Sequence, residues 1–474
     1  MGLFTMQIFK PLRLSMVVAW GASLLVGCAA VGPDYVKPAV ALPEAWQAPR
    51  PHGGQLSQMA DWWAQFKDPV LAELQRAAQA DSPSLAKAAA AIQSARATVT
   101  VNRSAGLPSV SANASSTRSA DQTGVSGIST VNSAGLDASW EIDLFGSVRR
   151  NVESGQASLQ AKQADWHDAR ISLAAEVAGD YVDYRACRLK QAAYQDQALS
   201  YRQTLKLTHV SVQSGLGAPS DLMLAQAGAA SASANARAQQ ASCDLLIKTL
   251  VAATGLAEPQ VRSLLGEGAG ALPSPADFSL DALPASVIAQ RPDVISAERQ
   301  VASTLAKIGV AEANRWPTFT ITGSIAAAST AGVASTPWSL VPAISLPIFQ
   351  GGALTAKVNS ARADYDSAVA SYKSTVRNAV LEVEQALVNL DSAADRERDA
   401  QTSAEQYRHY VAASETSWRA GLGSLQDLET ARRSYLSAEL TRIELQQSRV
   451  TQWITLYKAI GGGWQSAQAP GEKS

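Results

Sequence analysis

An eight-residue turn occurs twice in this chain, and the repetition limits the possible folds more than any other feature. Gly215-Leu216-Gly217-Ala218-Pro219-Ser220-Asp221-Leu222 and Gly421-Leu422-Gly423-Ser424-Leu425-Gln426-Asp427-Leu428 share their glycines, their aspartate and two leucines. They lie 206 positions apart, and the same displacement relates Val152 to Val358, Glu176 to Glu382, Tyr201 to Tyr407, Ala225 to Ala431 and Gly255 to Gly461. One offset sustained without insertion over so long a stretch marks an internal duplication. The fold is therefore two copies of one supersecondary unit, with a first repeat over about 71–255 and a second over about 284–461.

Each turn interrupts residues that read as helix. About Val152 to Gln213 and about Lys357 to Arg419 contain no proline, and at 1.5 Å per residue such runs make rods of roughly 90 Å. Shorter runs, about Asp221 to Thr254 and Asp427 to Ile460, return from the turns. Alanine and serine are frequent in them, as in Ala227 to Ala241, so neighbouring backbones can approach closely in coiled-coil-like packing. A further helix over about 71–105, with apolar residues at helical spacing from Leu71 to Ala95, has its counterpart at Pro292 to Ala313, 209 positions on. Leu107-Pro108 and Trp316-Pro317 end both, because proline disfavours helix at itself and before itself.

Beyond these prolines the period changes to two. Leu136, Ala138, Trp140, Ile142 and Leu144 alternate with Asp137, Ser139, Glu141 and Asp143; Phe319, Ile321 and Ile325 alternate with threonines and Ser324. The predicted strands cover about 107–120, 131–145, 316–330 and 337–349, each of a length that crosses a bilayer when tilted. Outside the N-terminus no apolar run is long enough for a membrane helix, so any crossing must use strands. A sandwich with one wet face would show the same alternation, but the carboxylate row Asp137, Glu141 and Asp143 suits a watery lumen. Four strands cannot close a barrel, whereas three chains supply twelve, and an open edge in lipid leaves backbone groups unsatisfied.

The first residues carry a secretory pattern: Lys10 and Arg13, an apolar run from Leu14 to Val26, then Leu25-Val26-Gly27-Cys28. Residues 1–27 read as a signal peptide whose end resembles a lipobox, which makes Cys28 the expected lipid attachment site, acylated on its thiol and freed amine; the alternative is an ordinary signal peptide with an incidental cysteine. Ala29 in place of aspartate points to the outer membrane. Two or more acyl chains anchor stably where one does not. Residues 28–70, with five prolines between Pro33 and Pro51, read as a tether closed by aromatics that pack a small domain. Residues 256–283 link the repeats, and 462–474 form a tail.

Only Cys187 and Cys243 remain, 30 and 26 residues from the turn at Gly217 on opposite arms. The periplasm would allow a disulfide, but similar height does not fix Cβ direction, and the habit of cysteine as a small core residue favours two separately buried thiols. Nothing points to an enzyme or a cofactor other than the lipid. His52, His167, His209 and His409 are scattered without metal-ligand spacing or a paired nucleophile. The cluster Asp395 to Asp399 reads as a solvated helix face. A net charge of −1 gives no basic footprint for nucleic acid.

These residues resemble the TolC-like outer-membrane efflux factors, in particular the NodT-type lipoprotein branch that serves RND pumps. The resemblance rests on the lipobox, Gly32-Pro33-Asp34-Tyr35-Val36-Lys37-Pro38, Ser139-Trp140-Glu141-Ile142-Asp143-Leu144-Phe145-Gly146, Gln290-Arg291-Pro292-Asp293-Val294 and Ser345-Leu346-Pro347-Ile348-Phe349. It implies a mainly α fold with membrane β: a homotrimer whose 12-stranded β-barrel is continuous with a 12-helix periplasmic α-barrel, with an equatorial domain around its middle to which part of residues 28–70 belongs. It also implies a passive exit duct served by an inner-membrane RND transporter and a periplasmic adaptor docked on the tip turns. The outer channel of a type I protein-secretion system shares that fold, and a non-conducting periplasmic scaffold is a reading of another class. The resemblance places Asp427, and Asp221 as its first-half equivalent, at a gate ringing the lumen; both aspartates could instead cap the returning helices. Gly215, Gly217, Gly421 and Gly423 supply left-handed or tight backbone there. The best-known members carry a gating arginine where this chain has Gly423, which leaves Arg419 and Arg432 as candidates for a substitute bond.

Overall fold

The computed structural model describes residues 30–40, 42, 46–48, 66–121, 127–267, 271–273, 288–330 and 333–462. Cys28, His52, most of the proline-rich tether and nearly all of the C-terminal tail lie outside them. Among the described residues there are eight helices: α1 Pro69–Ala80, α2 Pro83–Ser104, α3 Ser147–Gln213, α4 Pro219–Thr254, α5 Glu258–Glu267, α6 Pro292–Ala313, α7 Ala353–Arg419 and α8 Leu425–Ala459. The strands are β1 Ser109–Asp121, β2 Gly127–Ile142, β3 Thr318–Thr330, β4 Val333–Ser335 and β5 Trp338–Ser345.

The duplication reaches the element boundaries. Helices α3 and α7 have 67 residues each, and both their first and last residues are 206 positions apart. Upstream, α2 and α6, like β1 and β3, begin and end 209 positions apart. The second copy is therefore three residues shorter between its first strand and its long helix.

The chain divides into two compact units. One contains the sheet. All its pairings are antiparallel: β1 with β2, β2 with β3, and β3 with both β4 and β5. The last two continue one register, with Ala328 opposite Ser335 and Ile325 opposite Trp338. They are one strand interrupted at Thr336-Pro337, where proline has no N–H to donate; its carbonyl still accepts from Ala326 at 3.0 Å. The sheet is thus four strands in sequence order, and in the first repeat the second strand begins four residues earlier and ends three residues earlier than the alternation predicted.

The Gly32-Pro33-Asp34-Tyr35 motif is a strap in this unit. Val31 N donates to Phe145 O at 3.1 Å. Arg150 Nε and Nη2 donate to the carbonyls of Val31 and Gly32, and Nη2 also reaches Asp34 at 2.9 Å. Gly32 adopts φ +94°, and a Cβ there would lie 2.5 Å from the Cα of Gly309 on α6. Glycine is needed on both counts. Beyond it, the Tyr35 hydroxyl donates to Glu298 while Arg299 sits over its ring at 5.7 Å.

The other unit holds α1, most of the two long hairpins and the inter-repeat segment. Asp68 N-caps α1, accepting from Val70 and Leu71, and receives the Tyr181 hydroxyl of α3 at 2.8 Å. Arg291, the arginine of the Gln290-Arg291-Pro292-Asp293 motif, is buried. It pairs in a fork with Asp293, meets Glu382 of α7 at 2.7 Å and donates to the carbonyl of Ala459 at the end of α8. One guanidinium thus joins three helices of this unit, a geometry that lysine could not supply.

The expectation for the remaining cysteines is corrected. Cys187 of α3 and Cys243 of α4 form a disulfide, with their Cα atoms 5.6 Å apart. The two ridges face each other, which height along the hairpin could not reveal.

Candidate functional site: two turns and a two-faced sheet

Both turns close by the same hydrogen bonds. Leu216 N donates to Ser211 O and Gly215 N to Val212 O; 206 positions on, Leu422 N donates to Ser417 O and Gly421 N to Trp418 O. This six-to-one and five-to-two pattern requires a left-handed residue after the helix, supplied by Gly215 at φ +77° and Gly421 at φ +73°. The second glycine of each pair does a different job. A Cβ on Gly217 would press to 3.1 Å from Ser211 and Val212, whereas one on Gly423 would meet nothing closer than 3.4 Å. Gly421→Ala is expected to destabilise the tip by ~1–2 kcal/mol, and Gly423→Ala to stay within ~0.5 kcal/mol; chemical denaturation of the two variants side by side measures the difference.

The aspartates, equivalent by sequence, have diverged. Ser424 N-caps α8, its hydroxyl accepting from Asp427 N at 3.1 Å, while Asp427 Oδ2 accepts from Ser424 N and Oγ at 3.3 and 2.6 Å. Asp427 is therefore the third residue of a capping box, not the N-cap itself. In the first turn Ala218 occupies the N-cap and makes no side-chain bond, which leaves Asp221 in the first turn of α4 with only the helix dipole to favour it. Asp427 remains exposed, so capping one end does not remove its charge from solvent. Leu216 and Leu422 project from the turns almost fully exposed. Behind them Leu425, Leu428 and Ala225 are buried, with Leu205 and Trp418 packed against them.

Of the two arginine candidates, Arg419 is spent locally on Glu415, one turn back on α7, at 2.5 Å. Arg432 is buried, donates to Thr204 of α3 at 2.8 Å and pairs with Glu429 at 3.0 Å. The repeat marked Tyr201 only as the counterpart of Tyr407, and no sequence pattern singled out Glu429 or Thr204, because their meeting joins residues over two hundred positions apart. Burial, and then the Glu429 carboxyl, push the ionisation of Tyr201 upward. Earlier on α3, burial together with Glu176 and Asp183 raises the Asp180 carboxyl to about 6.

The sheet register sorts its side chains into two faces. One face carries the rows Val110, Ala138, Gly323, Leu340 and Ala112, Leu136, Ile325, Trp338, then Ile142, Phe319, Ile344. Most of these large residues are exposed, Trp338 by 75% and Ile344 by 68%, while Ile142 and Phe319 are half-buried. The opposite face carries Ser111, Asp137, Ser324, Ser339 and Glu141, Thr320, Ala343. Asn113 donates to Asp137 there, and serine pairs bond across strands at Ser115 with Ser133 and Ser324 with Ser339. Asp143 departs from the predicted carboxylate row. The strand ends at Ile142, and Asp143 instead accepts from Val148 N and Arg149 N at the start of α3 and pairs with Arg149. Near that end of the apolar face, Phe145 stacks on Trp316 at 5.2 Å and the Trp140 indole donates to the carbonyl of Gly106. Among the described residues no group of three potential metal ligands converges.

Long duplicated helical hairpins on the same chain as a sheet wet on one side and apolar on the other define a β-and-coiled-coil membrane protein. The chain belongs to the outer membrane efflux protein family, whose model matches residues 74–256 and 283–462. It is 31% identical over 460 residues to nodulation protein T of Rhizobium leguminosarum bv. trifolii, covering 93% of this chain and 96% of that protein. It is 28% identical over 471 residues to the solvent efflux pump outer membrane protein SrpC of Pseudomonas putida, covering 94% and 98%. Among solved structures it matches the outer-membrane channel OprN with a TM-score of 0.81 at 27% identity, over 92% of this chain and 100% of that one.

Proposed function

We propose that this chain trimerises to form the outer-membrane exit duct of a tripartite efflux pump, conducting small molecules passively from an inner-membrane RND transporter and its periplasmic adaptor. The observation that carries this reading is the sheet. Its apolar face is exposed and its outer strands β1 and β5 have open edges, a combination stable in lipid only when copies of the chain close it. Four strands from each of three chains make a 12-stranded barrel with Asp137 and Glu141 toward its lumen. The helical hairpins of the same three chains form the 12-helix tunnel. The relatives named above support efflux as the transported traffic, and a duct of this kind belongs to no enzyme class.

The strap supports the lipid anchor on Cys28. Ala30 packs on Gly146, immediately after Phe145, so a chain leaving the strap starts beside the end of the apolar face, where acyl chains would enter the bilayer. At the turns, Leu216 and Leu422 offer apolar points for the adaptor, and Asp427 and Asp221 ring an iris-like gate.

Planar-bilayer recording tests the duct and the aspartate together. The purified trimer is expected to conduct, and Asp427→Asn, which keeps the capping bond but removes the charge, is expected to lower cation-over-anion selectivity by about threefold, the effect of ~0.6 kcal/mol at the constriction. A trimer that never conducts removes the duct; unchanged selectivity in Asp427→Asn leaves Asp427 as a cap alone.

A further inference from the structure

The apolar face of the sheet changes character part of the way along its strands. β1 follows α2 and β2 leads into α3, so the helices attach at the end of the sheet that carries Ile142, and the β1–β2 connection lies at the other end. From the row of Ile142, Phe319 and Ile344 to the row of Ala114, Ala134 and Ala327 this face is apolar. That stretch covers eight steps of β2, roughly 27 Å along the strand. For a strand tilted as barrel strands are, it spans about 20 Å of membrane, close to the height of a barrel's lipid-facing band.

The ladder continues beyond the band. Ser116, Asn132 and Ser329 make the next row on this face and Arg118 with Thr130 the one after, followed by a short row of Ala120 and Ile128. Arg118 stands four residues past Ala114, about 13 Å along the strand and about 10 Å along the membrane normal. That is the depth of the lipid headgroups, which form a layer of roughly 5–7 Å outside the hydrocarbon. Overshoot at this end, away from the helices, puts these rows in the outer leaflet.

Charge is segregated between the two faces. Among the described strand residues Arg118 is the only lysine or arginine, and it is exposed together with Thr130 and Asn132. The rows of its face contain no aspartate or glutamate, whereas Asp137 and Glu141 belong to the opposite face. Ser116 donates to Asn132 Oδ1 at 2.7 Å, which leaves the Asn132 amide N–H groups for an outside acceptor. A guanidinium beside an amide and a hydroxyl is a donor set suited to phosphate oxygens, which arginine binds through two parallel hydrogen bonds. A closed barrel turns this face outward all round, so another copy of the chain in the trimer cannot cover it.

We propose that Arg118, with Thr130 and Asn132 beside it, is a headgroup site for a phosphorylated lipid of the outer leaflet, one per chain and three around the barrel. The proposal rests on the duct reading, because only a closed barrel holds this face at the membrane surface. Acyl chains of the bound lipid lie along the apolar rows while its phosphate takes the guanidinium, which fixes the height of the barrel in the bilayer.

Native mass spectrometry of the purified trimer in mild detergent tests the site, with diphosphoryl lipid A and its fully dephosphorylated form as probes. The wild type is expected to take up to three lipids and to prefer the phosphorylated form about fivefold, a ratio worth ~1 kcal/mol and typical of one arginine at an anionic membrane surface. Arg118→Gln is expected to lose that preference. Thr130→Arg added to Arg118→Gln returns a guanidinium to the same row and is expected to restore it. Thr117→Arg in the same background places the guanidinium one residue away, on the opposite face beside Val131, and is expected to restore nothing. Displacement of the lipid by millimolar inorganic phosphate would give the site to free phosphate and overturn the lipid assignment. Conducting wild-type trimers that bind both lipid forms equally, or an Arg118→Gln trimer that keeps the wild-type preference, overturn the headgroup site and spare the duct. A wild-type chain that forms no membrane-inserted trimer overturns both.

Discussion

Reductant is expected to weaken the wild-type protein to the level of a Cys187→Ala, Cys243→Ala double variant, and to leave that variant unaffected. The disulfide closes a loop with a sequence separation of 56, and the chain-entropy relation for a loop of that size gives about 4 kcal/mol of stabilisation at 25 °C. Most of that loop is the α3–α4 hairpin with its turn, so the loss should appear first as protease sensitivity below the crosslink, toward Gly215. The second hairpin supplies an internal comparison. At the positions equivalent to Cys187 and Cys243 it has Ala393 and Arg449, and Arg449 instead pairs with Glu397 of α7 at 3.1 Å. A partly exposed ion pair contributes on the order of 1 kcal/mol or less. Reductant should therefore sensitise the first turn and spare the second. Equal protection of the first turn with and without reductant would mean the thiols are not paired.

That the crosslink escaped the sequence while the hairpin did not has a physical reason. The hairpin is local: a helix stop at Gly215, a proline at the first position of α4 and an offset of 206 fix its turn and its arms. The pairing depends on which ridge of α3 faces α4, and alanine-rich helices present small residues on several faces, so periodicity leaves their rotation open. Asp143 shows a related limit. Alternation continues through it in the sequence, but a strand ends where its ladder ends, and a following helix with a free N-terminus claims the carboxylate. For Asp427 a helix start was legible, but its place in the capping box depended on Ser424, a substitution of Ala218 that matters only once the cap geometry is known. Of the Glu429–Arg432 seat only Arg432 was legible, as one of two arginines near the tip, and not its partners. The seat is made by Thr204 and Arg432, 228 positions apart, and a buried arginine looks the same in sequence as an exposed one.

Leu136→Arg is expected to block insertion, whereas Asp137→Arg, its immediate neighbour, should insert and conduct. Leu136 is flanked across the sheet by Ala112 and Ile325, on the face that also carries Trp338, Leu340 and Ile344; Asp137 is flanked by Ser111 and Ser324. Successive residues of a strand point to opposite sides, so the two substitutions place the same guanidinium in opposite media at the same depth. On a lipid face near the bilayer midplane an arginine costs ~2–4 kcal/mol, incurred once per chain and hence three times in the proposed barrel. On a lumenal face the guanidinium stays hydrated, and the change from −1 to +1 at each of three positions should invert the barrel's preference for cations. Heat-modifiable trimer in isolated outer membranes reports insertion, and ion selectivity in planar bilayers reports the lumen. If this apolar face instead packed beneath another protein layer in water, Leu136→Arg would leave a soluble chain defective in assembly, and Asp137→Arg would alter no ionic current. Loss of insertion at Leu136 together with a changed current at Asp137 is the paired result that only a membrane barrel with this register produces.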